Sequence, residues 1–488
     1  MHVRQFAVEG LGHLSTLIAD DETGLAAVVD PRRDVDVYLD AARDADLRIS
    51  HVLETHLHND YVSGGRELAA LTGATHVIGA GADLQYAHRP VRHGDDIVLG
   101  SLRITVLETP GHTPEHVAYA IADTSRAEER MLLLTGGSLL VGAVGRTDLL
   151  GAEHAVPYAH AMHRSLRDVV LPHEDFVTVL PTHGAGSLCS TGIAATPSST
   201  IGFERRYNPM LRPIVDGDDV ERFVQTLLAD QPTFPRYFAR MRPTNQAGPR
   251  LIGARVPEPT PLDLEEVRAV VARGGLVVDL RTPPEFAAAH IPGSLSLPAG
   301  SSFGTWLGWL VEPDQPIVLV LRDDRDWEDA IRQALRIGHE EVRGHLRGGF
   351  AAWAGSGAAI ETHGSTTVHD LAAAIGRGAD DTPIVIDVRQ ATEYAEAHVP
   401  GAVHIAGGDL AARLAELPHD RPIVTMCASG YRASVAASVL GRGGFRNVTW
   451  VADGVPAWQA AGLPVERGID DDAPQPAAPV VAHVRREP

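Results

Sequence analysis

The sequence predicts an α/β protein of several domains, in which two copies of one α/β domain follow a different N-terminal domain. Its 488 residues are enough for three domains of ordinary size with separate cores. Segments of the C-terminal half recur at an offset near 100 residues. That period is too long for a solenoid and fits two tandem globular domains. In the N-terminal half, histidines cluster after strand-like runs instead.

The C-terminal repeat is carried by short motifs that keep their order and spacing. At an offset of 108 residues, 278–281, 285–286 and 290–293 recur as 386–389, 393–394 and 398–401. Both copies contain an Asp-x-Arg motif after an apolar run, with Asp279 and Arg281 in the first and Asp387 and Arg389 in the second. Because the pair recurs in both copies, we predict a structural ion pair at a strand end.

Cys427 is one of two cysteines in the chain and opens a short polar loop. The apolar run 422–426 before it predicts a buried strand, and 433–440 after it predicts a helix that ends at the following glycines. This order places a thiol where backbone N–H groups and a helix N-terminus converge, which favours a thiolate and binds an anion. Arg432 adds a fixed positive charge. We predict a nucleophile that carries sulfur as a persulfide, and the alternative is a small buried hydrophobe.

The loop Cys-x-Ser-Gly-x-Arg resembles the active-site loop of the rhodanese (thiosulfate sulfurtransferase) family, and the Asp-x-Arg and His-Ile/Val-Pro-Gly motifs of both copies resemble that family too. The resemblance implies two parallel-sheet α/β domains. It also implies catalysis by Cys427 and Arg432, and donor binding by the residues between them, which are Ala428, Ser429, Gly430 and Tyr431. A loop of this size in the family suits sulfane-sulfur donors.

The first copy lacks this chemistry. Aligning the strands places Leu321 opposite Cys427 and Asp326 opposite Arg432. The loop 322–328 has no thiol and a net negative charge, which disfavours an anionic donor. We therefore predict that the first copy is structural or mediates interactions.

Three histidine clusters in the N-terminal half follow strand-like runs. Their motifs are Thr-His-Leu-His-Asn-Asp-Tyr at 55–61, Pro-Gly-His at 110–112 and Pro-Thr-His-Gly at 181–184, after the runs 49–54, 102–107 and 176–180. Two histidines at i and i+2 after a strand can converge on one metal ion, and loops at strand ends gather into sites. The alternative is a set of hydrogen-bonded core histidines.

The order of these motifs, with Gly-Arg-Thr-Asp at 145–148, resembles the metallo-β-lactamase fold. More narrowly it resembles the persulfide (sulfur) dioxygenases of that superfamily that are fused to two rhodanese domains. The resemblance implies an αββα sandwich at 1–245, a linker at 246–262, an inactive rhodanese domain at 263–362, an active one at 363–467 and a disordered tail at 468–488. It also assigns substrate binding to Arg146 and Asp148.

Two positions depart from the family. Tyr61 replaces a histidine of the second metal site, which argues against a two-metal hydrolase. Gly137 replaces the aspartate that would complete a facial triad with two histidines, by position His56 and His112, and leave open positions for oxygen and persulfide. What remains is a three-histidine set of His56, His58 and His112, with Asp60 and His183 nearby. That set suits Zn(II), or Fe(II) as the family implies, held weakly.

Three further predictions concern residues near these motifs and the choice of function. Cys189 is expected to be a buried structural thiol, with a thiol facing the metal pocket as the alternative. His154, His160 and His163 fall on a predicted helix as surface or core residues. The predicted function is sulfurtransfer coupled to oxidation of a thiol persulfide to sulfite. The alternatives are a sulfur carrier or sensor with a silent metallo domain, and a zinc-dependent thioester hydrolase.

Composition narrows the partners and the compartment. The net charge of −21 argues against nucleic acid and anionic membranes, and no apolar run approaches the ~20 residues that span a bilayer. The absence of a signal pattern and of a disulfide framework predicts a cytoplasmic protein. The expected partners are small-molecule persulfides, thiosulfate, sulfite and low-molecular-weight thiols, and a homo-oligomer is compatible with the sequence.

Overall fold

The computed structural model describes residues 1–229, 231–377 and 382–468, which form two compact units. Unit 1 comprises residues 1–257 and 335–338, and unit 2 comprises the described parts of 258–334 and 339–468. The predicted disordered tail, 468–488, lies outside the described residues apart from Gly468.

Unit 1 contains two six-stranded sheets. The first has β1 His2–Val8, β2 His13–Ala19, β3 Leu25–Val29, β4 Arg48–Leu53, β5 Thr75–Gly79 and β6 Arg89–Val91, paired in that order. The second has β7 Asp96–Leu99, β8 Leu102–Glu108, β9 Val117–Asp123 and β10 Leu132–Gly136. After the two-stranded ribbon of β11 Leu139–Leu140 and β12 Ala143–Val144, it is completed by β13 Thr178–Pro181 and β14 Ser199–Thr200. Its spatial order is β14-β13-β10-β9-β8-β7.

Helices cover the outer faces of both sheets. They are α1 Asp36–Asp44, α2 Gly65–Thr72, α3 Ala152–Ser165, α4 Ile201–Tyr207, α5 Arg212–Val215, α6 Val220–Leu228 and α7 Phe238–Ala247. One core cluster joins the first sheet to α1 and α2, and another joins the second sheet to α3 and α6. A third cluster lies between the sheets and includes Ile18, Leu53, Ile104 and Tyr119. The predicted αββα sandwich is confirmed.

The chain after α7 packs onto unit 1 instead of running free. Arg66 donates to the carbonyls of Gly248 and Pro249, both at 2.8 Å. The backbone N–H groups of Ile252 and Gly253 donate to the buried carboxylate of Glu67. The helix thus extends two residues into the predicted linker 246–262, and the residues that follow are held by unit 1 through their backbone groups.

Unit 2 contains two five-stranded parallel sheets with the same strand order. The first has β15 Pro261–Leu262, β16 Leu276–Asp279, β17 Leu295–Ser296, β18 Ile317–Val320 and β19 Val342–Leu346, ordered β15-β19-β18-β16-β17. The second has β20 Gly364–Thr366, β21 Ile384–Asp387, β22 Val403–His404, β23 Ile423–Met426 and β24 Val448–Val451, ordered β20-β24-β23-β21-β22. The predicted tandem α/β domains with parallel sheets are confirmed.

Short helices follow the strands of each copy. They are α8 Leu264–Ala272, α9 Pro283–Ala288, α10 Phe303–Leu310, α11 Glu328–Arg336 and α12 Gly349–Gly355, then α13 Val368–Gly376, α14 Ala391–Glu396, α15 Tyr431–Arg442 and α16 Gly454–Ala460. In the second sheet the strand order reverses between β21 and β23. Ligands of open α/β sheets bind at the carboxyl ends of the strands at such a point. Cys427 directly follows β23 at this place.

Candidate functional site

The loop after β23 presents a thiol to backbone N–H groups. The N–H of Gly430 donates to Cys427 Sγ at 3.1 Å, and the next residue begins the 12-residue helix α15. Gly430 has φ 87° and ψ −29°, a left-handed conformation that glycine adopts without strain. The sulfur therefore lies near the partial positive charge of a helix N-terminus. The predicted order of strand, cysteine, loop and helix is confirmed.

The thiol lies deeper than the sequence suggested. Cys427 is 1% exposed and Gly430 is buried, whereas Ser429 is exposed and Ala428 is half-buried. The chain at the start of α16 closes over the loop, because the N–H of Val455 donates to the carbonyl of Cys427 at 2.9 Å. Within the loop 427–432 only Ser429 is exposed, and the sulfur contacts a backbone N–H group inside the domain.

Arg432 does not carry a free charge. Its guanidinium donates to both carboxylate oxygens of Glu393, at 2.6 and 2.7 Å. Although burial acts in the opposite direction, the hydrogen bonds from Arg432 lower the pKa of Glu393. Glu393 is a member of the repeat motif, but nothing in the sequence linked it to Arg432. The fixed positive charge that the sequence predicted beside Cys427 is therefore paired with a carboxylate.

The first copy contacts the helix that follows the cysteine loop. Tyr431 Oη donates to the carbonyl of Pro298 at 3.3 Å, and the N–H of Ser296 donates to Ser438 Oγ at 3.0 Å. Further along the helix, Arg442 donates to the carbonyl of Gly293 at 2.9 Å. These contacts run along α15, so the first copy supports the element that positions the Cys427 loop.

The loop of the first copy holds paired charges where the second holds the thiol. Leu321 is buried after β18, and Arg325 in the loop pairs with Asp323 at 2.6 Å. Asp324 accepts a hydrogen bond from the N–H of Gly348 at 2.9 Å. A thiol is absent from this loop, and the cysteines of the chain are Cys189 and Cys427.

The Asp-x-Arg motifs form the same ion pair in both copies. Arg281 contacts Asp279 at 2.6 Å, and Arg389 contacts Asp387 at 2.6 Å. Each arginine also donates to the carbonyl eight residues further along the chain. Both pairs are buried, and the prediction of structural ion pairs at the strand ends is confirmed.

Buried histidines of unit 1 converge where β4, β8, β10 and β13 end. His112 Nδ1 lies 2.8 Å from the carbonyl of Arg146, which can only accept, so this nitrogen carries the proton. His56 Nδ1 lies 2.8 Å from Thr55 Oγ1, which already donates to Asp30. Both histidines therefore direct an unprotonated Nε2 inward. Neither Nε2 has a hydrogen-bond partner, although both residues are 1% exposed.

His183 lies beside these histidines. Its ring centroid is 5.5 Å from that of His56 and 5.4 Å from that of His112. The side chain is fully buried, and Nδ1 is 3.4 Å from Asp60 Oδ2. Neither ring nitrogen and neither carboxylate oxygen of Asp60 has a hydrogen-bond partner. Such orphaned groups are rare in folded proteins and are expected where an ion completes the site.

His58 interacts with carboxylates. Its Nε2 is 3.1 Å from Glu54 and 3.3 Å from Asp30. Burial alone lowers the pKa of His58, but the two carboxylates outweigh it and raise the pKa to about 10. Burial likewise opposes ionisation of Glu54, yet hydrogen bonds to His58 and His76 lower its pKa. The other ring nitrogen, Nδ1, is buried without a partner and stays available to an ion, so the role of His58 as a ligand stays a prediction.

Tyr61 and Gly137 occupy the two positions that depart from the family pattern. Tyr61 is fully buried, stacks on His58 with centroids 4.4 Å apart and donates to the carbonyl of Asp30 at 3.3 Å. The N–H of Gly137 donates to His116 Nε2 at 2.9 Å. A Cβ added at Gly137 would lie 2.4 Å from His112 Cδ2. A side chain at 137 therefore requires His112 to move.

Arg146 and Asp148 form a bidentate pair, with distances of 2.6 and 2.7 Å. Arg146 also donates to the carbonyls of Leu188 and Pro232. Its guanidinium lies 4.9 Å from the ring centroid of Phe234. In the structure the Arg146 guanidinium is thus occupied by contacts with Asp148, Leu188, Pro232 and Phe234. These contacts hold the loop before Cys189 in place. Substrate binding by this pair stays a prediction.

Similar proteins account for both units. Residues 263–356 and 367–461 each match the family described as Rhodanese-like domain. The hydroxyacylglutathione hydrolase of Rhodospirillum rubrum is 32% identical over 231 residues, which are 42% of this chain and 89% of the relative. A crystal structure of a metallo-beta-lactamase from Staphylococcus aureus is 30% identical, covers 71% of this chain and 99% of that chain, and has a TM-score of 0.63. The chain belongs to the metallo-β-lactamase-fold family and carries two rhodanese-like domains.

The metallo-β-lactamase-fold domain divides the predicted ligands between two groups. Ligand atoms of His56, His58 and His183 lie within 4.8 Å of one another, and so do those of His112, His183 and Cys189. A third such group is Asp30, Glu54 and His58. His183, which the sequence placed only near the site, belongs to both histidine groups.

His154, His160 and His163 lie on α3, where His163 is buried and 3.2 Å from Asp218.

The sequence missed the residues that hold this domain's histidine loop. The side chain of Asn245, on α7, accepts from the N–H of Ser63 and donates to the carbonyls of His58 and Tyr61, all between 2.9 and 3.0 Å. Asn245 is the last residue of the predicted domain 1–245, and no local signal in the sequence linked it to the histidine loop. None of the helices in the described part of the chain combines the length and apolarity that crossing a membrane requires.

Proposed function

We propose that the second rhodanese-like domain transfers sulfane sulfur through Cys427. The observation that carries the proposal is the hydrogen bond from the Gly430 N–H to Cys427 Sγ at the N-terminus of α15. Backbone N–H groups and a helix N-terminus stabilise a thiolate and the negative charge of a persulfide, and they act without any side-chain reorganisation. Thiosulfate and thiol persulfides are the proposed donors.

The transfer proceeds in two displacements that leave the overall oxidation state of the system unchanged. The Cys427 thiolate attacks the outer sulfur of the donor, and the sulfur–sulfur bond of the donor breaks. Sulfite or a thiolate leaves with the bonding electron pair, and Cys427 holds the sulfur as a persulfide. An acceptor such as cyanide, sulfite or a thiolate then attacks the terminal sulfur and releases the Cys427 thiolate.

The residues around Cys427 have separate proposed roles. Ser429 is the exposed member of the loop and is suited to contact the donor, together with Ala428 and Tyr431. Arg432 is held by Glu393 at 2.6 Å, so it orients the start of α15 and contributes a positive charge that the glutamate partly offsets. Donor binding would then depend on the loop N–H groups more than on Arg432.

For the metallo-β-lactamase-fold domain we propose one bound metal ion, Zn(II) or Fe(II). The unpartnered Nε2 atoms of His56, His112 and His183 are candidate ligands, because each is buried and lacks another partner, and His183 belongs to both histidine groups. When bound, the ion supplies a Lewis acid with open positions for a thiol-derived substrate. The domain's own residues fix the imidazole tautomers and exclude water.

The proposed reaction of this domain is oxidation of a thiol persulfide. Persulfide, dioxygen and water give sulfite, the free thiol and two protons, and the sulfite is an acceptor for the Cys427 persulfide. A second candidate is hydrolysis of a thioester, favoured by the 32% identity to a hydroxyacylglutathione hydrolase. A third is a sulfur carrier or sensor in which this domain is silent, favoured by Gly137 at the position of the family's aspartate.

Replacing Cys427 with serine or alanine tests the first proposal. Both variants are expected to lose thiosulfate:cyanide sulfurtransferase activity while keeping the tryptophan fluorescence of the folded protein. Retained activity above a few per cent of the unmodified protein would refute the assignment, because the first copy offers no thiol. Oxygen uptake with glutathione persulfide, and thioester hydrolysis on the same preparation, separate the three candidates for the other domain.

A further inference from the structure

We propose that Cys189, His112 and His183 form a thiolate-containing zinc site in the metallo-β-lactamase-fold domain, in which sulfur supplies the negative charge that Gly137 does not. The inference rests on the proposal that this domain binds one metal ion. Ligand atoms of the three residues lie within 4.8 Å of one another, and all three side chains are buried. Thiolate sulfur and imidazole nitrogen are ligands that zinc takes in proteins.

The two histidines are prepared for a metal ion. His112 carries its proton on Nδ1, which donates to the carbonyl of Arg146 at 2.8 Å, and its Nε2 has no partner. His183 is 0% exposed and has Asp60 at 3.4 Å from Nδ1, which leaves Nε2 for the ion. A carbonyl or carboxylate behind the distal nitrogen is the usual outer partner of a metal-binding imidazole.

Arg146 connects Cys189 to His112 through backbone hydrogen bonds. The backbone N–H of Arg146 donates to the carbonyl of Cys189 at 2.9 Å, while the carbonyl of Arg146 accepts from His112. The N–H of Cys189 donates to Ser187 Oγ at 3.1 Å. One residue thus fixes two of the three ligands through its backbone. The position of the Cys189 thiol is therefore set by backbone hydrogen bonds.

Binding of a divalent cation would convert the Cys189 thiol into a thiolate ligand. Cys189 is 0% exposed, and a buried thiolate with no cation beside it is costly. A divalent ion displaces the proton of a coordinating thiol. The ion then offsets the energetic cost of burying the thiolate.

The donor set selects the metal. Zinc in proteins is bound by thiolate and imidazole ligands, and its catalytic sites keep an open position, whereas Fe(II) in oxygenases is held by two histidines and a carboxylate. The competing group of His56, His58 and His183 has no anionic ligand. In that group Nε2 of His58 lies 3.1 Å from Glu54, so only its Nδ1 is left for an ion. The thiolate set is therefore the better fit for zinc.

Cobalt substitution of the full chain tests the ligand set directly. The unmodified protein is expected to bind one equivalent of zinc, and its Co(II) form should show a sulfur-to-cobalt charge-transfer band in the near ultraviolet. The band should persist in Cys427→Ser and disappear in Cys189→Ser. Zinc affinity of Cys189→Ser should fall by at least about 10- to 100-fold, the loss that even outer partners of metal ligands cause.

X-ray absorption of the unmodified zinc protein keeps the test independent of any variant's folding. One sulfur neighbour at about 2.3 Å is expected beside nitrogen neighbours at about 2.0–2.1 Å. One equivalent of metal with nitrogen and oxygen neighbours alone would overturn the ligand set and leave the proposed metal binding intact. A protein that binds no metal would overturn both proposals for this domain. Sulfurtransferase activity at Cys427 is measured separately and is unaffected by either outcome.

Discussion

Gly430→Ala is expected to disrupt the Cys427 loop through a contact with the backbone. A Cβ at this position would lie 2.5 Å from the carbonyl oxygen of Ala452 and 3.0 Å from the ring of Trp450. The carbonyl belongs to the chain that follows β24 and cannot rotate away as a side chain could. Relief requires the loop to move, and that movement withdraws the Gly430 N–H from Cys427 Sγ.

Gly444 provides a matched control for the backbone conformation. Both glycines have φ 87°, but a Cβ at Gly444 meets nothing within 4 Å. The left-handed conformation costs an L-residue roughly 1–2 kcal/mol, which is the whole effect expected for Gly444→Ala. Overpacking adds about 1–3 kcal/mol, so Gly430→Ala should lose about 2–5 kcal/mol in total.

Tryptophan fluorescence reports on the relevant unit alone. All six tryptophans lie between residues 306 and 458, within unit 2. Urea unfolding followed by this signal should give a larger loss for Gly430→Ala than for Gly444→Ala. A hydrogen bond to a charged group contributes about 1.5–3 kcal/mol, so kcat/KM for thiosulfate should fall about tenfold to a hundredfold in Gly430→Ala.

Two results would refute this reasoning. Equal destabilisation by the two substitutions would mean that the Ala452 contact relaxes without cost. Unchanged kcat/KM in a destabilised Gly430→Ala protein would mean that the Gly430 N–H does not support the reacting sulfur. In the second case the assignment of anion binding to the loop N–H groups would fail even if Cys427 remained essential.

Two further predictions concern the metallo-β-lactamase-fold domain. Gly137→Asp should lower metal content and destabilise the domain by about 1–3 kcal/mol, because its Cβ would lie 2.4 Å from His112 Cδ2. Gly217→Ala, which meets nothing within 4 Å, is the control, and iron gained by Gly137→Asp would contradict the prediction. The lowered pKa of Glu54 predicts stability that is present above its ordinary pKa of 4.5 and is lost as pH falls below that value. Circular dichroism unfolding should lose this pH dependence in Glu54→Gln, and an unchanged dependence would show that other carboxylates cause it.

The fold was largely predictable because its strands have distinct signatures. Buried parallel strands appear as continuous apolar runs, and the run 422–426 became β23 Ile423–Met426. The repeat at an offset of 108 residues implied two similar domains, and the two sheets share one strand order. These features are local or periodic, so a single sequence is enough to reveal them.

The partners of the site residues were less predictable because they come from distant segments. Glu393 meets Arg432 across 39 residues, and Asn245 meets His58 across 187. The backbone of Arg146 brings Cys189 and His112 together. A pattern of side chains in the sequence does not reveal such a backbone contact. Motifs therefore named the candidate site residues, while the charges and hydrogen bonds around them required the tertiary structure.

The pairing of Arg432 bears on how the second rhodanese-like domain recognises anions. The first copy retains the equivalent glutamate, Glu285, which lies 3.4 Å from Arg322 although the thiol is absent. Arg322 is not the counterpart of Arg432, whose position holds Asp326. The glutamate thus contacts an arginine of the loop in both copies through different positions, which favours loop support. A partly neutralised guanidinium also attracts an anionic donor less than a free one. The N–H groups at the start of α15 then carry most of the recognition, which is why Gly430 should be more sensitive to substitution than the charge of Arg432.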